Sequence, residues 1–449
     1  MNNANLLKRD LAVLWHPCTQ MKDHETLPLT PIKSGSGVWL TDFEDRQYLD
    51  AISSWWVNLF GHANPYINKA LKKQIDTLEH VLLAGFSHEP AITLAERLVK
   101  LTPPGLDRCF FADNGSSAVE ATLKMSYHYW RNKGNHQKTR FIALGNSYHG
   151  ETLGALAVGD VELYKETYKP LLMQPITVPS PDCFLREDGV SWKAHTEQMF
   201  LHMKAALEKH AHETCAVIIE PLVQCAGSMR MYHPVYLELL RKACDEYDVH
   251  LIADEVAVGF GRTGTLFACE QADITPDFIC LSKGITGGYL PLSAVLTTEK
   301  VYQAFYDDYT NLTAFLHSHS YTGNPLSCAA ANASLDIFEK DNVLENNQLL
   351  AKKMWQECEE LVDHPHVAEV RQTGMILAIE MCKDKKNRIP YDWKERRGLS
   401  VYLHGLENKV LLRPLGNVIY FIPPYVITTE EIELMTRIAK EGIEIATRG

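Results

Sequence analysis

Six short apolar runs punctuate the middle of the chain: RCFFAD (108–113), RFIALG (140–145), CAVIIEP (215–221), HLIADEV (250–256), DFICLS (277–282) and LSAVLTT (292–298). None alternates polar with apolar, so each predicts a strand covered on both faces. Between several of them the spacing turns helical, as in SAVEATLKMSYHYWRNKG (117–134) and PVYLELLRKACDEYD (234–248). Buried strands alternating with amphipathic helices predict an α/β domain on a largely parallel sheet. In such sheets ligands gather at the carboxyl ends of the strands.

The pattern changes on either side of this region. Beyond Gly323-Asn324-Pro325 a long helical stretch (326–342) leads into strand-like MILAIEM (375–381) and NVIYFIPP (417–424), which predict a smaller α+β domain. The first sixty residues read as an irregular arm with a hairpin in SGVWLTDFEDRQYLDA (36–51). The expected division is 1–60 as arm and part of the small domain, 61–330 as the large domain, and 331–449 as the C-terminal small domain.

Chemistry collects where the strands end. Lys283 follows DFICLS and precedes Gly284, Gly287 and Gly288. An ammonium in an apolar setting is pushed toward the neutral amine, and bringing its pKa to about 7 takes roughly 5 kcal/mol of differential interaction. A neutral lysine can form a Schiff base with a carbonyl cofactor; an exposed loop lysine is the plain alternative. Asp254 ends another apolar strand, 29 residues earlier. A carboxylate there can keep a pyridine nitrogen protonated, or simply cap a turn. The turn Asn114-Gly115-Ser116-Ser117 opens a helix and offers free N–H groups to a phosphate, although, read alone, it is better explained as an ordinary helix cap. Tyr148 and His149 lie just past a strand, where an aromatic ring can stack on a planar group. On the loop HSHSYTGNP (317–325), Ser320 can donate to a phosphate oxygen. Its His-x-His spacing lacks a third ligand, so no metal is expected. GFGRTG (259–264) formally fits a dinucleotide fingerprint but is separated from its strand and followed by a poor helix start, so no nucleotide site is expected.

Composition narrows the classes. Over 449 residues, 46% are hydrophobic and 22% charged, as in soluble globular proteins. A net charge of −12 argues against nucleic acid or an anionic membrane as the main partner. Eleven scattered cysteines without a CxxC pair read as reduced thiols. The first residues lack the apolar core of a signal peptide and no stretch approaches a membrane span. A cytoplasmic protein is expected.

Taken together, LIADEVAVGFGRTG and PDFICLSKGITGG, with the spacing of Asp254 and Lys283, resemble the signature of the class III pyridoxal-phosphate aminotransferases, over nearly the whole chain. The resemblance implies the fold type I architecture of pyridoxal 5′-phosphate (PLP) enzymes and a homodimer with active sites at the subunit interface. It implies Lys283 as the Schiff-base lysine and Asp254 as partner of the pyridinium nitrogen. Gly115, Ser116 and, from the neighbouring subunit, Ser320 with His319 would hold the cofactor. Tyr148 would stack on it and Gln224 would contact its hydroxyl.

Four stretches, LWHPCTQM (14–21), SSWWVNLFGH (53–62), VQCAGSMRMYHP (223–234) and VLLRPLGNVIYFIPPY (410–425), resemble the branch of that family that aminates 8-amino-7-oxononanoate in biotin synthesis. That substrate is an aliphatic chain ending in a carboxylate. Trp55 and Trp56 would wall its channel and Arg413 would fork its carboxylate. Tyr148, Glu151, Ser318, Tyr420 and Cys18 complete the implied substrate site. Cys18 stands where the branch has tyrosine, Ser318 and Cys225 where it has glycine, and Glu151 where it has aspartate. The implied donor is S-adenosylmethionine, with lysine as the alternative in close relatives and another ω-amino substrate as the wider one.

Overall fold

The computed structural model describes residues 2–27 and 29–448. Its large domain is built on a seven-stranded sheet: β1 (Arg108–Ala112), β2 (Arg140–Leu144), β3 (Ile176–Val178), β4 (Thr214–Ile219), β5 (His250–Asp254), β6 (Phe278–Leu281) and β7 (Ser293–Thr297), in the order β1-β7-β6-β5-β4-β2-β3. All six expected strands are present. The seventh, β3, is only three residues long at the sheet edge, too short to show a period. Every pairing is parallel except those of β7, which runs against both β1 and β6. β4 to β7 are buried at every position, which explains their unbroken apolar sequence.

Helix α1 (Gly115–Asn132) lies across the sheet with Ala118, Val119, Thr122 and Leu123 buried. Its cap is Asn114, whose side chain takes the Ser117 N–H at 3.0 Å. A second helix, α2 (Pro325–Lys340), starts with Asn324 as cap and proline in the first turn. Its small buried face of Cys328, Ala330, Ala331 and Ser334 lets it pack close behind the turn that carries Lys283.

Segments from both chain ends form the smaller part. Strands Ile32–Ser36, Trp39–Asp42 and Gln47–Asp50 make a meander, and Val410–Leu411 joins it parallel to the last of them. A second, antiparallel sheet of Val367–Thr373, Ile376–Met381 and Val418–Phe421 is covered by helices including Thr429–Thr447. Among the described residues no helix is long and apolar enough to cross a membrane.

One buried guanidinium ties the two parts together. Arg371, in the second sheet, donates Nε–H to the Met229 carbonyl of the large domain and Nη1–H to Glu380 Oε2, both at 2.8 Å. Arg371→Ala should lower unfolding free energy by about 3–5 kcal/mol, because it strands buried acceptors; urea denaturation of the purified variant measures this.

Candidate active site

The central parallel strands end side by side, and each delivers a polar group. Glu220 follows β4, Asp254 closes β5, and Lys283 stands just past β6. Asp254 is in register with Cys280 on β6, so strand pairing brings Asp254 and Lys283 to one edge. In front of them lies a cleft of about 720 Å³, walled by Lys283, Gly115, Ser116, Tyr148, Glu151 and Val256 among others.

Lys283 opens a tight turn at φ +44°, a conformation a side-chain-bearing residue adopts at a cost. The turn holds because Gly287 and Gly288 follow at positive φ; a Cβ on Gly288 would lie 2.9 Å from Asn58 Cα. The Lys283 Nζ sits 4.6 Å from the centre of the Trp56 ring and has no hydrogen-bond or ion-pair partner among the described residues. Burial pulls its pKa down, against the pull of Cys225, Asp254 and Glu220. Burial also pushes the Cys225 thiol up, so at neutral pH the two carboxyl groups are the relevant counterweight.

Behind the amine, Asp254 is held in place twice: by His149 Nδ1 at 2.7 Å and by the Val256 N–H at 3.1 Å. The other ring nitrogen of His149, Nε2, is buried without a partner. Glu220 accepts the N–H groups of Tyr148 at 2.9 Å and Cys225 at 3.1 Å. Burial, reinforced by Asp254, lifts its pKa from 4.5 to about 7 despite His149 and those two donors. The sequence signal for His149 was only its adjacency to Tyr148, and for Glu220 its place at a strand end before Pro221.

At the start of α1, Gly115 lets the helix approach Val256: a Cβ there would lie 2.6 Å from Val256 Cγ1. The N–H groups of Gly115 and Ser116 face no partner within the helix, as first-turn donors cannot. The Ser116 hydroxyl is engaged with the 151–152 backbone, accepting from both N–H groups at 3.0 and 2.9 Å.

Trp55 and Trp56 belong to an unusual turn. Ser53, Ser54, Trp55 and Trp56 all have positive φ, between 47° and 74°. Each left-handed residue costs roughly 1–2 kcal/mol, so the turn is imposed by its surroundings. Trp56 is buried and donates Nε1–H to the Tyr420 hydroxyl at 3.2 Å. Trp55 is exposed and lies under the Arg413 guanidinium, whose carbon is 3.9 Å from the ring centre. Arg413 has no carboxylate partner among the described residues.

Cys18 reaches this mouth from the N-terminal arm. Its Sγ is 3.8 Å from the Tyr164 hydroxyl. The Tyr164 ring packs edge-on against Tyr148 at 5.5 Å, and Tyr148 donates to Glu151 Oε1 at 2.9 Å. Tyr164 escaped the sequence reading because it sits on a short, polar, irregular stretch.

Not every expected residue arrives. Gln224 lies outside the lining of this cleft: its amide is fully buried, with Oε1 accepting from Ser180 at 2.7 Å and Nε2 donating to the Gly145 carbonyl at 2.9 Å. Ser318, His319 and Ser320 lie on a loop outside this cleft, the two serines exposed. In GFGRTG the arginine, Arg262, is buried and donates to the carbonyls of Pro423 and Asn58 at 2.7 and 3.1 Å, so the motif braces domain contacts.

The aminotransferase class-III family model matches residues 20–443, and the chain belongs to that family. The adenosylmethionine-8-amino-7-oxononanoate aminotransferase of Helicobacter pylori is 51% identical over 434 residues, 96% of this chain and 95% of that protein. The crystal structure of the enzyme of that name from Methanocaldococcus jannaschii superposes with a TM-score of 0.94 at 40% identity, covering 99% of this chain and all of that one. The omega transaminase of Pseudomonas jessenii in complex with PMP, 27% identical, gives 0.93 over 99% of this chain and 98% of its own.

The protein is therefore a PLP-dependent transaminase of the α/β fold expected. The residues present fit that cofactor. An unpaired amine and the start of a helix with two free N–H groups face one cleft, and a carboxylate fixed at a strand end lies behind the amine.

Glu220 gives this site a pH signature. Its folded pKa lies above its unfolded value, so the unfolded chain releases the proton first and stability falls as pH rises from about 4.5 to about 7. Glu220→Gln removes that loss. In urea titrations of the cofactor-free protein, the variant should gain on wild type between pH 4.5 and 7.5, by on the order of 3 kcal/mol.

Proposed function

We propose that this enzyme transfers an amino group to 8-amino-7-oxononanoate, making 7,8-diaminononanoate for biotin synthesis, with S-adenosylmethionine as donor. The relatives' names favour this substrate pair. The observation that carries the reading is Arg413, a cation without a carboxylate partner among the described residues, stacked on Trp55 at the mouth of a site whose inner wall is Trp56 over Lys283. An aliphatic chain can lie along the two indoles with its carboxylate on Arg413 and its ketone near Lys283. At the same mouth, Tyr148 and Glu151 offer a hydroxyl and an anion to a cationic donor.

In this reading each side chain has a defined task. Bound PLP supplies the electron sink that makes the donor's α-proton labile. The N–H groups of Gly115 and Ser116 hold the phosphate, and Tyr148 covers the ring. Asp254, oriented by His149, keeps the ring nitrogen protonated. Lys283, its charge disfavoured by burial, takes the α-proton of the donor and returns a proton to the acceptor carbon in the reverse half. Glu220 fixes the backbone on which Tyr148 stands.

The exposed loop with Ser318, His319 and Ser320 serves, in our proposal, the site of a second copy, making the working form a homodimer. Leu312, Leu316 and Tyr321 stand exposed around these residues, an apolar surface suited to burial between copies. We place the enzyme in the cytoplasm, where its eleven free cysteines stay reduced.

Purified enzyme with PLP, 8-amino-7-oxononanoate and one donor at a time should form diaminononanoate, seen by mass spectrometry, with S-adenosylmethionine but not with lysine or alanine. Product from lysine alone would overturn the donor assignment, and none from any donor would overturn the acceptor. Arg413→Leu should raise the acceptor KM roughly 10–100-fold with little change in the donor half-reaction. Lys283→Ala should lower turnover by at least about 10²–10⁴-fold while the circular-dichroism melt is retained; near wild-type turnover would remove Lys283 from its role.

A further inference from the structure

The turn that carries the two indoles is anchored outside the cleft by a buried carboxylate. Asp50, at the end of strand Gln47–Asp50, is fully buried. Its Oδ2 accepts from the Ser54 hydroxyl at 2.7 Å and from His62 Nε2 at 3.0 Å, and its Oδ1 from the Ile52 N–H at 3.3 Å. His62 in turn accepts at Nδ1 from the Asn58 side-chain amide at 3.2 Å. One carboxylate thus grips the strained turn from inside, at Ser54, and through His62 from its far side, at Asn58.

The backbone of Asp50 is tied to the other half of the substrate mouth. It pairs with Leu411 in the parallel strand Val410–Leu411, two residues before Arg413. Trp55 and Arg413 therefore meet at 3.9 Å because both are referred to the same residue, one through a side chain and one through a strand register.

The hand of the turn matters for reach. In an extended segment neighbouring side chains point to opposite faces, so Trp55 and Trp56 could not both face the substrate. A helical turn rotates by about 100° per residue, which lets Trp56 face Lys283 while Trp55 lies under Arg413.

We propose that Asp50 is a positioning residue that locks the Ser53–Trp56 turn in its left-handed form, and thereby sets the corridor that selects a long aliphatic substrate ending in a carboxylate. Asp50 touches neither Lys283 nor any other residue assigned to the chemistry; it acts through Ser54, His62 and the register with Leu411. The inference rests on the acceptor reading above for the identity of the substrate, but not for the corridor itself.

The test uses holoenzyme with Asp50→Asn and Ser54→Ala; the second removes one hydroxyl contact and keeps the buried carboxylate, in case the first impairs folding. Binding of nonanoate, an unreactive aliphatic carboxylate, is followed by tryptophan fluorescence. The donor half-reaction is followed by cofactor absorbance, and KM and kcat are measured for 8-amino-7-oxononanoate. We expect nonanoate affinity to fall and acceptor KM to rise, by about tenfold or more in Asp50→Asn and a few-fold in Ser54→Ala. The donor half-reaction should stay within about twofold of wild type, because Trp56 over Lys283 keeps its own bond to the Tyr420 hydroxyl. Unchanged nonanoate affinity in both variants, or a donor half-reaction that declines in step with acceptor KM, would overturn the proposal. If wild type binds nonanoate but does not aminate 8-amino-7-oxononanoate, the acceptor reading fails while the nonanoate comparison still decides the role of Asp50.

Discussion

Keeping a lysine amine out of water is costly unless the fold removes solvent from every side at once, and the architecture around Lys283 is organised to do so. The strand that delivers it is flanked by strands buried at every position. The turn that follows is tight enough for Gly288 to sit against the Asn58 backbone, and the small-residue face of α2 closes it from behind. Trp56 supplies the remaining wall, and its ring face is an apolar surface that still interacts favourably with a cation. Burial thereby disfavours the charged form of the amine, which suits a group that both takes and returns a proton.

The same exclusion of water raises the stakes for the acids nearby. Asp254 and Glu220 end adjacent strands, and two carboxylates cannot both be ionised in a dry region without support. The structure separates their fates by hydrogen bonding. Asp254 is backed by His149 and a backbone donor, whereas Glu220 has only backbone donors and its pKa rises to about 7. One acid is thus fixed by a side chain as well as by the backbone. The other stays partly neutral and holds the loop of Tyr148.

The large domain was legible because its strands are buried on both faces and their sequences carry little but that fact. β3 was not, since three residues cannot display a pattern. Lys283, Asp254 and the Gly115-Ser116 turn were legible because ligand sites in parallel sheets fall at strand ends, so position along the chain translates into position in space. The surroundings of Gln224 were not legible for the opposite reason: its amide is claimed by Ser180 and Gly145, residues whose proximity only the folded chain creates. Tyr164 and the His149–Asp254 pair depend likewise on contacts between distant segments, which periodicity does not encode. The resemblance supplied Trp55, Trp56 and Arg413, but not the geometry that makes them act together.

That geometry is where local preference and fold disagree most openly. Nothing in Ser-Ser-Trp-Trp favours the left-handed region: there is no glycine or asparagine, and bulky aromatic residues pay the full steric cost. The chain adopts it because hydrogen bonds outweigh the local preference: the Ile52 N–H and the Ser54 hydroxyl donate to Asp50 within the segment, and the Ser53 hydroxyl donates to the Ile422 carbonyl across the fold. A segment held against its own propensity cannot relax toward substrate without giving up those bonds, so its side chains are rigid before anything binds. In the proposed function, rigid aromatic walls lose little entropy when a flexible nine-carbon chain settles on them, and discrimination falls on the length of that chain and on where its carboxylate meets Arg413. The conflict between sequence and conformation is thus sharpest at the residues proposed to do the selecting; of those proposed for the chemistry, Asp254 ends a regular strand, while Lys283, at φ +44°, shares some of that cost.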